Sequence, residues 1–299
     1  MAVETPRRRD RLVLTCEHAG NVVPPEYAEL FVEHGHLLPT HRGWDPGALL
    51  LAREMAARFA APLYFEETTR LLVDLNRSVR TPDLHSEATR HLRLPERRRI
   101  LERFYHPHRQ RVDAAIDAAV AGGDRVVHIA SHSFTPELHG HVRTADIGLL
   151  YDPGRSGEVA FCKRWLEALR RADPTLRLRR NYPYLGRSDG VAQSLRRRHP
   201  ADAYVGIELE VNQRYAEAGG PVWPALRRTL VDSLGETLGE RFSCAAAPAP
   251  TADRPESAAV PGRGRGSPAA PDSPAVPDSP AVPAGRPAAR APRGSGRRS

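Results

Sequence analysis

The chain carries five short clusters of side chains that can bind metal ions, transfer protons or hold anions. They are Cys16-Glu17-His18-Ala19-Gly20-Asn21, His41-Arg42-Gly43-Trp44-Asp45, Asp74-Leu75-Asn76-Arg77, Ser131-His132-Ser133 and Glu208-Leu209-Glu210-Val211-Asn212-Gln213. Two histidines and one carboxylate form a ligand set that holds a catalytic metal ion and leaves one position open for water. The clusters therefore predict the site of a metal-assisted hydrolase.

Most of these clusters follow short apolar runs that are typical of buried strands. The strand candidates are Leu12–Thr15, Leu71–Leu75, Val126–Ala130, Ile147–Tyr151 and Tyr204–Val211. Helical patterns cover Asp45–Arg58, Pro95–Ala121 with a candidate break at Pro107, Gly157–Ala172 and Pro221–Glu240. This alternation predicts a single α/β domain with a mixed, largely parallel sheet flanked by helices. Such sheets bind ligands beyond the carboxyl ends of their strands, which is where the clusters lie.

Six ordered motifs give the chain a family resemblance. They are CEHAGNVVPPEY, HRGWDPGA, LLVDLNRS, ASHSFTPEL, NYPYLGRSDG and YVGIELEVNQ, spread over roughly residues 11–240. In this order they resemble the N-formylglutamate amidohydrolase family. The resemblance implies a fold similar to the zinc carboxypeptidases and the aspartoacylase group, with Zn²⁺ as cofactor. It also implies a small N-acyl amino acid as substrate, with N-formyl-glutamate hydrolysed to formate and glutamate.

The expected metal ligands are His18, Asp45 and His132. Related folds place a glutamate three residues after the first histidine, whereas this chain has Asn21 there. Asp45 is the best replacement, although a carboxylate before a proline-led helical pattern can instead cap that helix. Glu17 stays open as a rival ligand, but neighbouring side chains on an extended backbone usually point apart.

Glu208 and Glu210 are the candidates for the catalytic base, because a carboxylate must take the proton of the attacking water. They share one face of a strand, and Glu210 is favoured because it lies nearer the carboxyl end. Pairing of both glutamates with arginine is the structural alternative. By resemblance, Arg70 supports the developing oxyanion. His108 is left open between a supporting role at the site and a position on a helix surface.

Asn76 and Arg77 match the motif that binds substrate in the related enzymes, and a substrate carboxylate suits bidentate recognition by arginine. Arg187, with Tyr182, is expected to hold the far end of the substrate. A surface ion pair is the alternative role for each arginine. His139-Gly140-His141 lacks a matching third ligand and is interpreted as a polar loop.

The composition changes near residue 245. The whole chain has 299 residues, a formal net charge of +8 and 28 prolines. Residues 245–299 hold 12 of these prolines and half of the net charge, and they contain no aromatic residue. They predict a disordered tail after a catalytic domain over residues 1–244. Because the excess charge belongs to this tail, it does not indicate a nucleic-acid-binding protein.

Several other classes of protein do not fit the sequence. No apolar run is long enough for a membrane-spanning helix, and the N-terminus lacks a signal-peptide pattern. The three cysteines are far apart, which argues against a disulfide framework and favours the cytoplasm. The remaining alternatives are an amidase or carboxypeptidase-like enzyme that acts on another N-acyl or peptide substrate, and a basic interaction protein that acts through its tail.

Overall fold

Six strands form one mostly parallel sheet in the computed structural model, which describes residues 8–239 and 242. In all, the described residues form eight strands, which are β1 (Asp10–Cys16), β2 (Leu63–Phe65), β3 (Arg125–Phe134), β4 (Glu137–Leu138), β5 (His141–Val142), β6 (Ile147–Leu150), β7 (Leu178–Arg180) and β8 (Tyr204–Asn212). The sheet has the order β2-β1-β3-β8-β6-β7, while β4 and β5 pair in a separate hairpin. Within the sheet, only β6 and β8 are antiparallel neighbours. The predicted fold class is confirmed, and the predicted tail over 245–299 lies outside the described residues.

Helices cover both faces of the sheet. They are α1 (Ala48–Phe59), α2 (Leu94–Ile100), α3 (His106–Ala121), α4 (Ser156–Ala172), α5 (Val191–Arg198), α6 (Arg214–Ala218) and α7 (Val222–Leu238). Successive strand residues point to opposite faces, so Leu12 and Leu14 pack with α1, α4 and α7, whereas Val13 packs with α3 and α5. A strand buried on both faces has a nearly continuous apolar sequence. None of the helices that the structure describes is long and apolar enough to cross a membrane.

The apolar run Leu71–Leu75 is not a strand, so that prediction is wrong. Its backbone turns instead, because Leu72 donates its N–H to the carbonyl of Thr69 at 3.0 Å and Arg77 donates to the carbonyl of Asp74 at 3.2 Å. The apolar side chains of the run are buried in a separate cluster with residues from α2 and the turn after it. A buried segment that does not pair as a strand can therefore have the same apolar sequence pattern as a buried strand.

The sequence also does not predict two edge strands and two helices. β2 and β7 have three residues each, which is too short for a recognisable pattern. α5 has three consecutive arginines in its last turn, and α6 has five residues. The sequence predicts no strand at β4 or β5, which have two residues each. The strands β1, β3, β6 and β8 and the helices α4 and α7 begin and end within a few residues of their predicted bounds.

Two helix boundaries differ from the sequence prediction for local reasons. Gly47 precedes α1 with a φ of 84°, a conformation that favours glycine. Asp45 therefore lies outside the helix, and the interpretation of its carboxylate as a helix cap is wrong. The stretch predicted over Pro95–Ala121 consists of α2, a π-helical turn over Leu101–Tyr105, and α3. Pro107 lies just after that turn, where a residue without an N–H interrupts regular helical hydrogen bonding.

Gly148 in β6 allows the chain at Tyr182 to pack directly against the sheet. A Cβ at position 148 would lie 1.8 Å from the carbonyl oxygen of Tyr182. We expect Gly148→Ala to lower the free energy of unfolding by about 2 kcal/mol, because added atoms in a filled interior force backbone shifts. Gly35→Ala is the matched control, since its Cβ would meet no atom within 4 Å. Urea unfolding measures both variants, and equal stabilities would contradict this account of the packing.

Candidate active site

Three ligand-type side chains converge at the carboxyl-end edge of the sheet. Asp45 Oδ2 lies 3.2 Å from His18 Nδ1 and 2.9 Å from His132 Nδ1, and all three residues are buried. One ligand atom from each residue lies within 4.8 Å of the other two. Two imidazole nitrogens and one carboxylate oxygen suit a divalent cation such as Zn²⁺. The structure therefore brings the three predicted ligands together in a possible metal site.

The sheet topology explains this convergence. β1 and β3 are parallel neighbours, so His18, after β1, and His132, near the end of β3, reach the same edge. Asp45 arrives from the segment before α1 and donates its backbone N–H to the carbonyl of His18 at 3.0 Å. Burial raises the pKa of the Asp45 carboxyl, but the two histidines outweigh burial and hold that pKa well below its usual range. An ionised carboxylate at this position can bind a cation.

Asp74 fixes the outer nitrogen of His18. Its Oδ1 lies 2.8 Å from His18 Nε2, and Arg70 donates to its Oδ2 at 2.5 Å. Burial raises the pKa of Asp74, but Arg70 and His18 hold it well below its usual range. An ionised Asp74 accepts the Nε2–H of His18 and leaves Nδ1 free for a metal ion, as carboxylate–histidine–metal arrangements require. The sequence signal for this role is the position of Asp74 in the same motif as Asn76.

Glu17 lies on the far side of His132 from the three-ligand cluster. Its Oε2 is 3.3 Å from His132 Nε2, and its Oε1 is 3.9 Å from His108 Nε2. Both oxygens are buried and lack a hydrogen bond from any described residue. Burial raises the pKa of Glu17, but His108 and His132 hold it well below its usual range. Glu17 and His18 point apart, so the geometry favours Asp45 over Glu17 as the carboxylate ligand.

Glu208 and Glu210 face the site from β8. Glu210 pairs in register with His132 on β3, and Glu208 pairs with Ala130. Burial raises the pKa of Glu210 to about 8, and it also raises the pKa of Glu208. Glu210 Oε2 is buried without a hydrogen bond in the described part of the chain. The ion pairs of residues 8–239 include neither glutamate, so the structure does not show the arginine pairing that was the alternative.

A cavity of about 440 Å³ opens above these side chains. Most of the predicted site residues line it, namely His18, Asp45, Arg70, Asn76, Arg77, His132, Glu208 and Glu210. Tyr182 and Arg187 do not: the ring of Tyr182 packs edge-on against Phe134 with centroids 5.9 Å apart, and Arg187 is exposed. His85, Tyr184 and Asp189 line the cavity although the sequence does not single them out. Asp189 lies in the same quoted motif as Arg187, and this position is the available signal.

Arg77 is held by hydrogen bonds to backbone carbonyl groups, and it forms no ion pair with a carboxylate among the residues described. Its Nη1 donates to the backbone carbonyls of Asn76 at 3.0 Å and Asp189 at 3.2 Å. Asn76 is fixed in turn, because its Oδ1 accepts the N–H of Val191 at 2.8 Å. Arg70, in contrast, forms ion pairs with two buried aspartates. Arg77 is therefore the better placed of the two to receive a carboxylate from a ligand.

The parallel sheet, the cavity at its carboxyl-end edge and the His-Asp-His cluster define a class of protein, a hydrolase with a candidate metal site. The sequence profile of the N-formylglutamate amidohydrolase family matches residues 10–216. The chain belongs to this family, and the resemblance drawn from its motifs is confirmed. It is accordingly an enzyme that hydrolyses amides.

The solved structures that are similar to this chain include the following two. The gene product Atu2144 from Agrobacterium tumefaciens is 30% identical, with a TM-score of 0.66 over 76% of this chain and 90% of that chain. N-formylglutamate amidohydrolase from Ralstonia eutropha JMP134 is 19% identical, with a TM-score of 0.59 over 77% of this chain and 93% of that chain. No curated protein sequence matches significantly. The second structure, at its low identity, supports the fold alone.

If the His-Asp-His cluster binds a metal ion, a single substitution in it should abolish metal binding. We expect His18→Ala and His132→Ala to lose stoichiometric zinc, because each removes one of three ligands from a site that needs all of them. His141→Ala is the matched control, since His141 is exposed in the β5 hairpin strand. Plasma mass spectrometry of the purified proteins measures the zinc. Full zinc content in His132→Ala would contradict the assignment.

The raised pKa of Glu210 predicts how the stability of the metal-free protein depends on pH. In the folded state this pKa is about 8, against roughly 4.3 in an unfolded chain. Between these values the unfolded state binds fewer protons, so stability falls as pH rises. We expect Glu210→Gln to remove this penalty and to stabilise metal-stripped protein at pH 9, relative to pH 5, by about 4 kcal/mol, since about three pH units of this interval lie below the raised pKa.

Urea unfolding of metal-stripped wild type and Glu210→Gln at pH 5 and pH 9 measures the effect. Glu236→Gln is the control, because Glu236 is a carboxylate on the exposed side of α7 with a 56% exposed side chain. A stability difference between wild type and Glu210→Gln that does not change with pH would show that Glu210 is ionised throughout.

Proposed function

We propose that this enzyme hydrolyses the amide bond of N-formyl-glutamate to formate and glutamate, with Zn²⁺ held by His18, Asp45 and His132. The observation that carries the proposal is the convergence of these three side chains beneath a cavity that Glu210 and Arg70 also line. The description of the family whose profile matches residues 10–216 supports the substrate.

The donor set fits the proposed ion. Both histidines turn Nδ1 toward Asp45, and each outer nitrogen faces a buried carboxylate, Asp74 for His18 and Glu17 for His132. When bound, Zn²⁺ would polarise the formyl carbonyl and bring the pKa of a water molecule toward neutrality. The remaining steps are proton transfer and charge stabilisation by side chains of this protein.

Glu210 is the proposed proton carrier. Its register with His132 and the cavity that it lines together with the proposed ligands support this role. It takes the proton of the attacking water and delivers it to the nitrogen of the leaving amine. Glu210 must be ionised for the first transfer and protonated for the second, and a pKa of about 8 keeps both forms accessible near neutral pH. Glu208 supports it, because the negative charge of Glu208 raises the pKa of its neighbour.

Arg70 and Arg77 divide the anionic groups of the reaction between them. Arg70 is held by ion pairs with Asp45 and Asp74, so its guanidinium is already oriented when charge develops on the carbonyl oxygen. Arg77 and Asn76 are proposed to bind a carboxylate of the substrate. Tyr182 and Arg187 do not line the cavity, and neither is proposed to contact the substrate.

The proposal places the reaction in the cytoplasm, within amino-acid catabolism. Cys16 and Cys162 are buried free thiols, which is the usual state of cysteine in a reducing compartment. The proposed reaction releases free glutamate, which is itself an amino acid and can enter further catabolic reactions.

The role of Glu210 predicts a selective loss of turnover. We expect Glu210→Gln to lower kcat by about 10²–10⁴-fold, because an amide cannot transfer the proton. Its zinc content and KM should stay close to those of the wild type. We expect Glu208→Gln to lower kcat less, since Glu208 acts through its neighbour. Formate release from N-formyl-glutamate measures kcat, and a larger loss in Glu208→Gln than in Glu210→Gln would reverse the two roles.

A substrate screen separates this function from the alternative. N-formyl-glutamate, N-formyl-glutamine, N-acetyl-glutamate and a short peptide are compared with the zinc-loaded wild type. Preference for N-formyl-glutamate supports the proposal. Activity on the acetyl compound or the peptide without formate release would instead establish an amidase or carboxypeptidase-like enzyme with the same site.

A further inference from the structure

Glu17 and His108 form a buried pair behind the candidate metal site, and the proposed mechanism uses neither. We propose that Glu17 is a positioning residue whose carboxylate accepts the Nε2–H of His132 and keeps His132 Nδ1 unprotonated and directed at the ion, while His108 supports Glu17 from α3. This inference rests on the zinc site of the proposed function.

The strand pattern explains why Glu17 reaches His132. Thr15 and Glu17 lie two residues apart along the same stretch, and Thr15 Oγ1 lies 2.9 Å from the ring of His128. His128 and His132 lie four residues apart on β3 and therefore share a face of the sheet. That face is covered by α3, which carries the fully buried His108. Glu17 and His132 consequently meet beneath α3.

The tautomer of His132 decides which neighbour can hold it. A neutral imidazole carries one N–H, so a ring that binds an ion through Nδ1 carries its hydrogen on Nε2. Among the described residues, two groups have a polar atom near this nitrogen, Glu17 Oε2 at 3.3 Å and Asn76 Nδ2 at 3.4 Å. The Asn76 amide is oriented by the bond from Val191 to its Oδ1, so it presents a donor to His132. In the metal-bound state only Glu17 can accept the Nε2–H.

Because Glu17 is buried, its carboxylate has few partners other than His132. Its side chain is 0% exposed, and the only ion-pair contacts found for it among the described residues are with His132 and His108. Asp74, the matching carboxylate behind His18, also has Arg70 as a partner. A buried carboxylate without an arginine depends on the N–H groups that face it. Neither ring nitrogen of His108 has a hydrogen-bond partner in residues 8–239, and Glu17 Oε1 is the carboxylate oxygen that faces its Nε2, at 3.9 Å.

Zinc affinity of the folded protein tests the proposal. Competition with a chromogenic chelator gives the dissociation constant for zinc of the wild type, Glu17→Leu and Glu17→Gln. We expect Glu17→Leu to weaken zinc binding by about 10–100-fold, as loss of an outer carboxylate does in other metal sites. Glu17→Gln keeps an acceptor oxygen and should recover at least threefold of that loss. Glu158→Gln, a buried glutamate paired with Arg196, should lower Tm but leave zinc affinity unchanged.

The outcomes distinguish the two proposals. A wild type that binds no zinc overturns the proposed function itself. A wild type that binds zinc, with Glu17→Leu of equal affinity, overturns only the role of Glu17. Equal weakening in Glu17→Leu and Glu17→Gln would also count against it, because the acceptor atom would then make no difference.

A spectroscopic measurement on the wild type covers the case in which Glu17→Leu does not fold. The protein is labelled with ¹⁵N-histidine and loaded with ¹¹³Cd in place of zinc. We expect cadmium coupling to Nδ1 of two histidines, with a proton on Nε2 of each. Coupling to Nε2 of His132, or an unprotonated Nε2 there, would overturn the proposal.

His108 is expected to act only through Glu17. His108→Leu should weaken zinc binding less than Glu17→Leu does, and the double variant should bind zinc as Glu17→Leu does. Such non-additivity is typical of residues in one interaction network. Fully additive losses would show that His108 does not act through Glu17.

Discussion

Asp45 Oδ2 is held between two imidazole nitrogens, 3.2 Å from His18 and 2.9 Å from His132, and the surrounding architecture is arranged around this contact. The three residues come from segments that are distant in sequence, so no local structure can produce the arrangement. Parallel pairing of β1 with β3 brings the two histidines to one edge. The left-handed turn at Gly47 lets α1 begin after Asp45 and leaves the carboxylate outside the helix. A shift of either element would separate the ligand atoms.

The four buried carboxylates around this contact differ in their partners, and the partners determine their protonation. Asp74 has an arginine and a histidine, Asp45 has two histidines and a more distant arginine, and Glu17 has two histidine contacts, at 3.3 Å and 3.9 Å. The pKa of each is held below its usual range. Glu210 has no such partner, and burial raises its pKa. Carboxylates whose pKa values are pushed in opposite directions can serve different roles, and of these four Glu210 alone has a pKa raised above its usual range.

The sequence predicts the parts of the fold that are buried on both faces, because these leave long apolar runs. Such runs predict β1, β3 and β8. The polar residues at the ends of these strands, and with them the candidate ligand set, are predicted in the same way. Leu71–Leu75 could not be distinguished from a strand, since its side chains are equally buried without pairing. The placement of Tyr182 and Arg187 depends on the path of a loop rather than on a periodic pattern. Motif membership therefore identified candidates there, but not which of them line the cavity.

The direction of the Glu17 side chain follows from local strand geometry, whereas its contacts depend on the topology of the sheet. Alternation along an extended backbone is enough to predict that Glu17 and His18 point apart, and this argues against a shared role as ligands. It cannot say what Glu17 points to, because that depends on which strand lies next to β1 and which helix covers the face. With β3 as the neighbour and α3 above, Glu17 reaches the outer nitrogen of His132. The pair Glu17-His18 thus supplies one proposed ligand and a contact to the other, His132, so a single short segment links the two histidines.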